Sequence, residues 1–209
     1  MYLEKERYEN LQHGFFEGVG KYDIPQLIGS SRNTVPELIG FNYAKTAKDK
    51  QTKGVHFFLD DYQFTRLWNR PLVYLDLLKE FNVVLSPDFS LYSDFPLAMQ
   101  IYNHYRKHWL AALWEHNGIE VIPTICWGNK HSFDWCFDGE PKESTVAVSA
   151  IGTQKSREAK EAFLLGFNEI KSRLNPKVII FYGNIPSECA GDNVISVRSF
   201  QDEMRKRVK

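Results

Sequence analysis

The stretch FNVVLSPDFSLYSDFP, residues 81–96, contains an apolar run that stops at a proline and continues as an acidic, aromatic loop. This pattern predicts a buried strand followed by a polar exit. In α/β proteins such exits bring polar side chains to the carboxyl ends of the strands, where ligands bind. We therefore consider Asp88 a candidate catalytic carboxylate and Tyr92 a candidate ligand contact.

Four further predicted strands end in side chains that can do chemistry. The catalytic candidates among them are Asp60, Asp61, Ser149 and Tyr182, and the ligand-binding candidates are Trp127 and Asn184. Asp60 and Asp61 are adjacent, so only one of them can face a given pocket if the strand geometry persists. In a parallel sheet all these exits share one edge, where a partly desolvated pocket can raise the pKa of one acid while another stays ionised. The alternative is that the acids are ordinary helix caps and turn formers.

The long loop of residues 126–144, CWGNKHSFDWCFDGEPKES, is rich in aromatic side chains. Loops of this length in a compact domain are functional more often than chance. One interpretation is a lid over the polar edge, in which Trp127 and Trp135 stack on a base, a sugar or another flat group. The other is that the aromatic side chains bury a short extra helix against the core.

Two further patterns resemble catalytic motifs but are incomplete. His104 and His108 have the spacing of a helical metal-binding pair, yet the glutamate of an H-E-x-x-H motif is missing, which favours solvated or partly packed histidines. We therefore assign no metal ligand. Cys126 follows a predicted strand, but no histidine follows another strand to activate it, which favours a buried structural cysteine over a nucleophile.

No motif of the common nucleotide or serine-hydrolase sites occurs. The chain has no Walker A run, no G-x-G-x-x-G after a strand and no G-x-S-x-G elbow. Phosphate-loop, dinucleotide and serine-hydrolase chemistry therefore lose their best support, and the cofactor is left unassigned.

The elements that must position these groups alternate along the chain. Short β-branched or aromatic runs predict strands at ELIGFNY, VHFFLDD, NVVLS, IEVIPTI, TVAVSAI, KVIIFYG and NVISV. Helices are predicted over 70–81, 96–117, 155–174 and 199–209. The alternation indicates an α/β fold with a mainly parallel sheet of about seven strands, either open or curled into an incomplete (βα) barrel. The polar strand exits favour the curled form.

The periodicity of helix 96–117 also predicts which of its side chains are buried. Its 3.6-residue repeat places Ile101, Tyr105, Trp109 and Leu113 in the core and turns Arg106 and Lys107 toward water.

Composition bounds the class of protein. The 209 residues predict a single α/β domain over 1–209, with residues 1–37 as an irregular capping arm. Lys plus Arg and Asp plus Glu both number 26, so nothing in the net charge favours nucleic acid or an anionic membrane. The three cysteines form no paired motif, and no signal peptide or membrane span is evident, so we expect a cytoplasmic protein without a membrane partner.

The blocks HFFLDDYQFTRLWNRP, VVLSPDFSLYSDFP, IPTICWG, VAVSAIG and IIFYGNIP together resemble an uncharacterised family, a domain of unknown function carried by phages and mobile elements. The resemblance covers roughly residues 38–186, and its most specific part is LSPDFSLYSDFP together with CWG. It implies a small intracellular accessory protein and brings no assigned catalytic residues.

Two functions remain open from the sequence. The first is a hydrolase or transferase that uses general acid–base chemistry at the carboxyl edge of the strands. The second is a non-catalytic binding module for a nucleotide, a nucleic acid or a host protein. Nucleic acid in particular would need a local basic cluster, for which the candidates are Lys45, Lys48, Lys50 and Lys53.

Overall fold

The computed structural model describes residues 9–152 and 156–198 of the chain. Its first part is irregular: a 3-10 turn at Glu9–His13 precedes a short antiparallel pair made of β1, Gly18–Val19, and β2, Ile24–Pro25. The predicted helix over 199–209 lies outside the described residues.

All seven predicted strands occur, and each pairs in parallel with its neighbours. A four-stranded sheet contains, in order, β3 (Glu37–Gly40), β4 (Lys53–His56), β5 (Val83–Leu85) and β6 (Val121–Ile122). A three-stranded sheet contains β7 (Thr145–Ser149), β8 (Val178–Tyr182) and β9 (Val194–Val197). The prediction of one sheet of about seven strands was therefore wrong, although the parallel α/β class is confirmed.

Pro123 accounts for the division into two sheets. It follows β6 directly and has no backbone N–H to donate to a neighbouring strand. The pairing between β6 and β7 is reduced to one isolated parallel bridge, Thr124 with Ala147, where the amide of Ile125 donates to the Ala147 carbonyl at 2.8 Å. As a result the strands form two sheets, and the sequence pattern alone cannot distinguish this arrangement from one sheet.

The longer helices lie where the sequence predicts them. The helices are α1 (Arg66–Asn69), α2 (Leu75–Lys79), α3 (Leu97–His116) and α4 (Arg157–Leu174), and a 3-10 turn at Pro71–Tyr74 leads into α2. Helix α4 begins at Ser156, whose hydroxyl accepts the amide hydrogen of Ala159, and it ends at the left-handed Asn175. No helix within the described residues is both long enough and apolar enough to cross a bilayer.

Helix α3 is buried on more than its apolar face. Trp109 and Leu113 are buried as predicted, whereas Ile101 and Tyr105 are only partly buried. The prediction that Lys107 faces water was wrong, because its side chain is fully enclosed. The physical reason is that residues from the long loop 126–144 cover the polar side of the helix.

Helix α4 carries the indole of Trp127 on its surface. The Trp127 ring lies 5.2 Å from the ring of Phe163, centroid to centroid, and its Nε1 donates to the Ala162 carbonyl at 3.4 Å. Gly166 makes this contact possible, because a Cβ at that position would stand 2.1 Å from two atoms of the indole.

We predict that Gly166→Ala lowers the free energy of unfolding by about 1–3 kcal/mol, as expected for overpacking. In a Trp127→Leu background the same change should be neutral or stabilising, because alanine is favoured over glycine in a helix by about 1 kcal/mol. Urea unfolding of the four proteins in this double-mutant cycle measures the difference. An equal loss in both backgrounds would show that the indole is not the obstacle.

Candidate functional site

The ends of β5 and β6 are joined by side-chain hydrogen bonds. The Thr124 amide donates to the Ser86 hydroxyl at 2.8 Å, and the Thr124 hydroxyl donates to the Ser86 carbonyl at 2.9 Å. Both residues are buried, so these bonds are shielded from water. They fix the loop that carries Asp88 beside the loop that carries Cys126.

Asp88 retains some exposure to solvent, but its carboxyl group lies deep among protein atoms. Desolvation raises the pKa of this carboxyl to about 7, against the attraction of the Lys107 charge. The negative charge of Asp61 raises the pKa further, and a hydrogen bond from the Cys126 thiol lowers it. Near neutral pH this acid therefore exchanges a proton readily, which is what general acid–base chemistry requires.

Asp61, and not the adjacent Asp60, is the carboxylate that acts on Asp88. The Asp61 carboxylate accepts hydrogen bonds from the Ser90 hydroxyl at 2.8 Å and from the Ser90 amide at 3.2 Å, which holds it against the loop of Asp88. Asp60 is exposed and precedes the 3-10 turn at Asp61–Gln63.

A buried ion pair lies behind Asp88. Lys107 Nζ donates to Glu140 Oε1 at 2.5 Å and to the Thr124 carbonyl at 3.0 Å. The side chains of Lys107 and Glu140 are 1% and 0% exposed. Replacing such a pair by apolar residues is often neutral or stabilising, so its presence is not explained by stability alone.

Sequence reasoning missed this pair, and only the spacing of the polar residues of α3 is visible in the sequence. Five polar residues of α3 recur at helical spacing and are buried, namely Gln100, Asn103, His104, Lys107 and His108. A buried polar stripe opposite an apolar one indicates that the helix is covered on both sides. Glu140 carries no such signal, because it lies in an irregular loop.

Gly139 brings that loop onto α3. It adopts a φ of +77°, and a Cβ there would stand 2.6 Å from Nδ1 of His108. Beside it, His104 Nε2 lies 3.0 Å from the Asp138 carbonyl, and His108 Nε2 lies 3.1 Å from Glu140 Oε1. The histidines that we expected to be solvated or partly packed are therefore buried. With Glu140 they present ligand atoms within 4.8 Å of one another, which is the composition of a small metal site.

The other predicted site residues are distributed around this cluster. Trp135 is buried and meets His104 edge-on, with ring centroids 5.6 Å apart, and Trp127 packs on α4. Tyr92 is 60% exposed in the loop of Asp88. These positions bring Trp135 to the buried histidines and leave Tyr92 available to a ligand.

A second group lies at the ends of β4 and β8. The Tyr182 ring stacks on Phe58 at 4.6 Å and meets the His56 ring at 4.7 Å. Ser149 ends β7, where its hydroxyl accepts the Ile151 amide hydrogen at 3.3 Å, and Asn184 is exposed beyond β8.

The candidate basic cluster is partly neutralised. Lys50 pairs with Glu80 at 2.9 Å, and Lys53 pairs with Glu37 at 2.8 Å. These ion pairs leave less positive charge for a phosphate backbone than the sequence suggests.

The fold and the carboxylate-lined strand exits define an α/β protein with a candidate acid–base site. The chain matches, over residues 16–201, the family model described as a domain of unknown function (DUF4417), and it belongs to that family. It is similar to the Gene 1 protein of Mycobacterium phage L5, with 38% identity over 197 residues that cover 93% of this chain and 85% of the relative. The Gene 1 protein of Mycobacterium phage D29 is 36% identical over 199 residues, which cover 92% and 73%.

These matches confirm the expected family, an uncharacterised one carried by phages. No solved structure matches the chain.

We predict that the raised pKa of Asp88 makes the free energy of unfolding depend on pH. The folded protein keeps a proton that the unfolded chain releases between about pH 4 and pH 7, so the free energy of unfolding falls across this range and levels off above it. Asp88→Asn removes this ionisation. Relative to wild type, the variant should gain roughly 2–4 kcal/mol between pH 4 and pH 8, at 1.36 kcal/mol per pKa unit.

Urea unfolding at several pH values measures this gain, and carbon-13 NMR of the carboxyl locates the titration directly. Asp94→Asn, an exposed acid in the same loop, is the matched control and should follow wild type at every pH. Parallel curves for wild type and Asp88→Asn would contradict the assignment.

Proposed function

We propose that the chain is a phage accessory enzyme, a hydrolase or transferase that works by general acid–base chemistry at the joined exits of β5 and β6. The observation that carries this proposal is the desolvated carboxyl of Asp88, which lies near enough to a second carboxylate, Asp61, for that charge to raise its pKa. Two acids in different environments are the arrangement by which one fold supplies both an acid and a base.

Each group has a distinct role in this proposal. Asp88 gives a proton to the leaving group and recovers it, since its pKa is raised to about 7 by desolvation. Asp61, held by the two hydrogen bonds from Ser90, orients the nucleophile. Tyr92, exposed in the same loop, forms a wall for the substrate.

The two sheets form one curved surface in this proposal, an incomplete (βα) barrel. The bridge between Thr124 and Ala147 supports it, as does the stacking of Phe58 against Tyr182, which joins the exit of β4 to β8. A small apolar cluster also draws side chains from four consecutive strands, namely Val83, Leu85, Ile122, Ala147 and Ile180. With this curvature the edge that carries Asp88 also receives Ser149, Tyr182 and Asn184, and Ser149 and Tyr182 act as hydrogen-bonding partners.

The proposed setting is the host cytoplasm. All three cysteines, Cys126, Cys136 and Cys189, are free thiols, as is usual in a reducing compartment.

We predict that Asp88→Asn abolishes turnover in a screen of ester, phosphoester and glycoside substrates, because the acid can no longer exchange a proton. Asp60→Asn is the matched control, since it removes an exposed acid from the adjacent strand exit, and it should retain at least half of the wild-type rate. For a substrate that wild type turns over, the rate should also depend on pH with a midpoint near 7. Full activity of Asp88→Asn would remove Asp88 from the mechanism.

The second candidate function is a binding module. It is favoured by a run of exposed apolar and aromatic side chains beside the Asp88 loop, Tyr92, Leu97, Met99 and Tyr102. A binding module predicts that Tyr92→Ala impairs the biological activity of the phage protein while Asp88→Asn leaves it intact, whereas the enzyme requires that Asp88→Asn abolish that activity.

A further inference from the structure

Three buried side chains converge behind the acid–base site. His104, His108 and Glu140 present ligand atoms that lie within 4.8 Å of one another, and the two imidazole centroids are 4.4 Å apart. The side chains of His108 and Glu140 are 0% exposed, and His104 is 1% exposed as a residue. A polar group buried this deeply needs a partner for every polar atom.

Backbone carbonyls fix the orientation of both imidazoles. His104 Nε2 lies 3.0 Å from the Asp138 carbonyl, and His108 Nδ1 lies 2.9 Å from the Pro25 carbonyl. A carbonyl oxygen can only accept, so each of these nitrogens carries the hydrogen. A histidine that binds a metal is usually held in this way, by donating its other N–H to a carbonyl or carboxylate.

The nitrogens left without a hydrogen are His104 Nδ1 and His108 Nε2. His104 Nδ1 has no hydrogen-bond partner. In a neutral imidazole with its hydrogen on Nδ1, His108 Nε2 carries a lone pair. This nitrogen lies 3.1 Å from a carboxylate oxygen, Glu140 Oε1. Two acceptors facing each other in a dry interior repel, so a positive species must lie between them.

The two carboxylate oxygens of Glu140 have different surroundings. Its Oε1 receives the ammonium of Lys107 at 2.5 Å, which anchors the carboxylate, while its Oε2 is buried without any hydrogen-bond partner. One carboxylate oxygen of Glu140 is therefore buried and free of protein donors.

A proton on His108 or on Glu140 would resolve the contact between those two residues. It would leave His104 Nδ1 and Glu140 Oε2 as they are, buried and unpaired. A metal cation uses all three groups at once, so it is the simpler account of the whole cluster.

We propose that His104 Nδ1, His108 Nε2 and Glu140 bind a divalent transition-metal ion, with Zn²⁺ the best match to two imidazoles and one carboxylate. Tetrahedral ligands lie about 3.4 Å apart when metal–ligand bonds are about 2.0–2.1 Å, so small side-chain rotations close the site. A fourth position remains for water. This inference goes beyond the proposed acid–base function and does not depend on it.

We predict that the purified chain binds one Zn²⁺, measured by inductively coupled plasma mass spectrometry after dialysis. Co²⁺ should substitute and give the visible d–d absorption of a four-coordinate site, and X-ray absorption at the zinc edge should show imidazole and oxygen ligands. His104→Gln and Glu140→Gln should each weaken Zn²⁺ binding by more than the roughly 100-fold that loss of a supporting hydrogen bond costs.

His131→Gln is the matched control, because His131 is exposed in the 3-10 turn at Lys130–Asp134, and it should bind Zn²⁺ like wild type. If the site variants do not fold, the wild-type spectra still show whether the chain binds the metal ion through imidazole and oxygen ligands. A folded wild type that binds no stoichiometric Zn²⁺ or Co²⁺ overturns the proposal. So does nitrogen-15 NMR that finds protons on both nitrogens of His108 with no change on addition of Zn²⁺.

Discussion

The ammonium of Lys107 is the group around which this structure is arranged. An unpaired charge in a protein interior is costly, so its burial requires acceptors at fixed positions. Glu140 provides one and the Thr124 carbonyl another, at 2.5 and 3.0 Å. These bonds attach the long loop to the polar side of α3 and position the end of β6. Without them the helix would expose the stripe that it now buries.

Desolvation raises the pKa of Asp88 and prevails over the attraction of the Lys107 charge. A cation beside a carboxylate ordinarily lowers the pKa of the acid. Lys107 does attract Asp88, but most of its charge is balanced by Glu140, which is closer, and the nearby charge of Asp61 opposes it. Desolvation is then the largest effect on Asp88. A reaction can use an acid that a substrate can reach from solvent and whose pKa is nevertheless raised by poor solvation.

Local sequence patterns were sufficient to predict most of the fold. Strands such as Val83–Leu85 and Val178–Tyr182 are continuous apolar runs because parallel strands are covered on both faces, and such runs are visible in a sequence. Helix α4 also follows its pattern, with a serine cap and one apolar face. The division into two sheets escaped prediction because it depends on a single missing N–H at Pro123, whose effect requires knowing which strand lies beside it.

The site was only half predictable, for a related reason. Asp88 and Asp61 follow strands, and strand exits can be read from the chain. Lys107 could not be placed, because a periodicity argument assumes that a helix has one buried face, and the path of loop 126–144 decides whether a second face is covered. Tyr182 was also predicted from its place at the end of β8, and its ring contacts His56 and Phe58 at the exit of β4.

The concentration of polar groups under one helix bears on function. Replacing a buried ion pair such as Lys107 and Glu140 by well-packed apolar side chains is often neutral or stabilising, so the pair is weak evidence of a stabilising role. Four buried side-chain polar atoms lack a hydrogen-bond partner among the described residues, and two of them, His104 Nδ1 and Glu140 Oε2, belong to this one cluster. Unsatisfied buried groups are expensive, and natural proteins keep them mainly where chemistry or a bound ion requires them. The cluster that holds two of these unpartnered atoms adjoins the candidate acid, and for this reason we propose that the functional part of the molecule lies between α3 and the exits of β5 and β6.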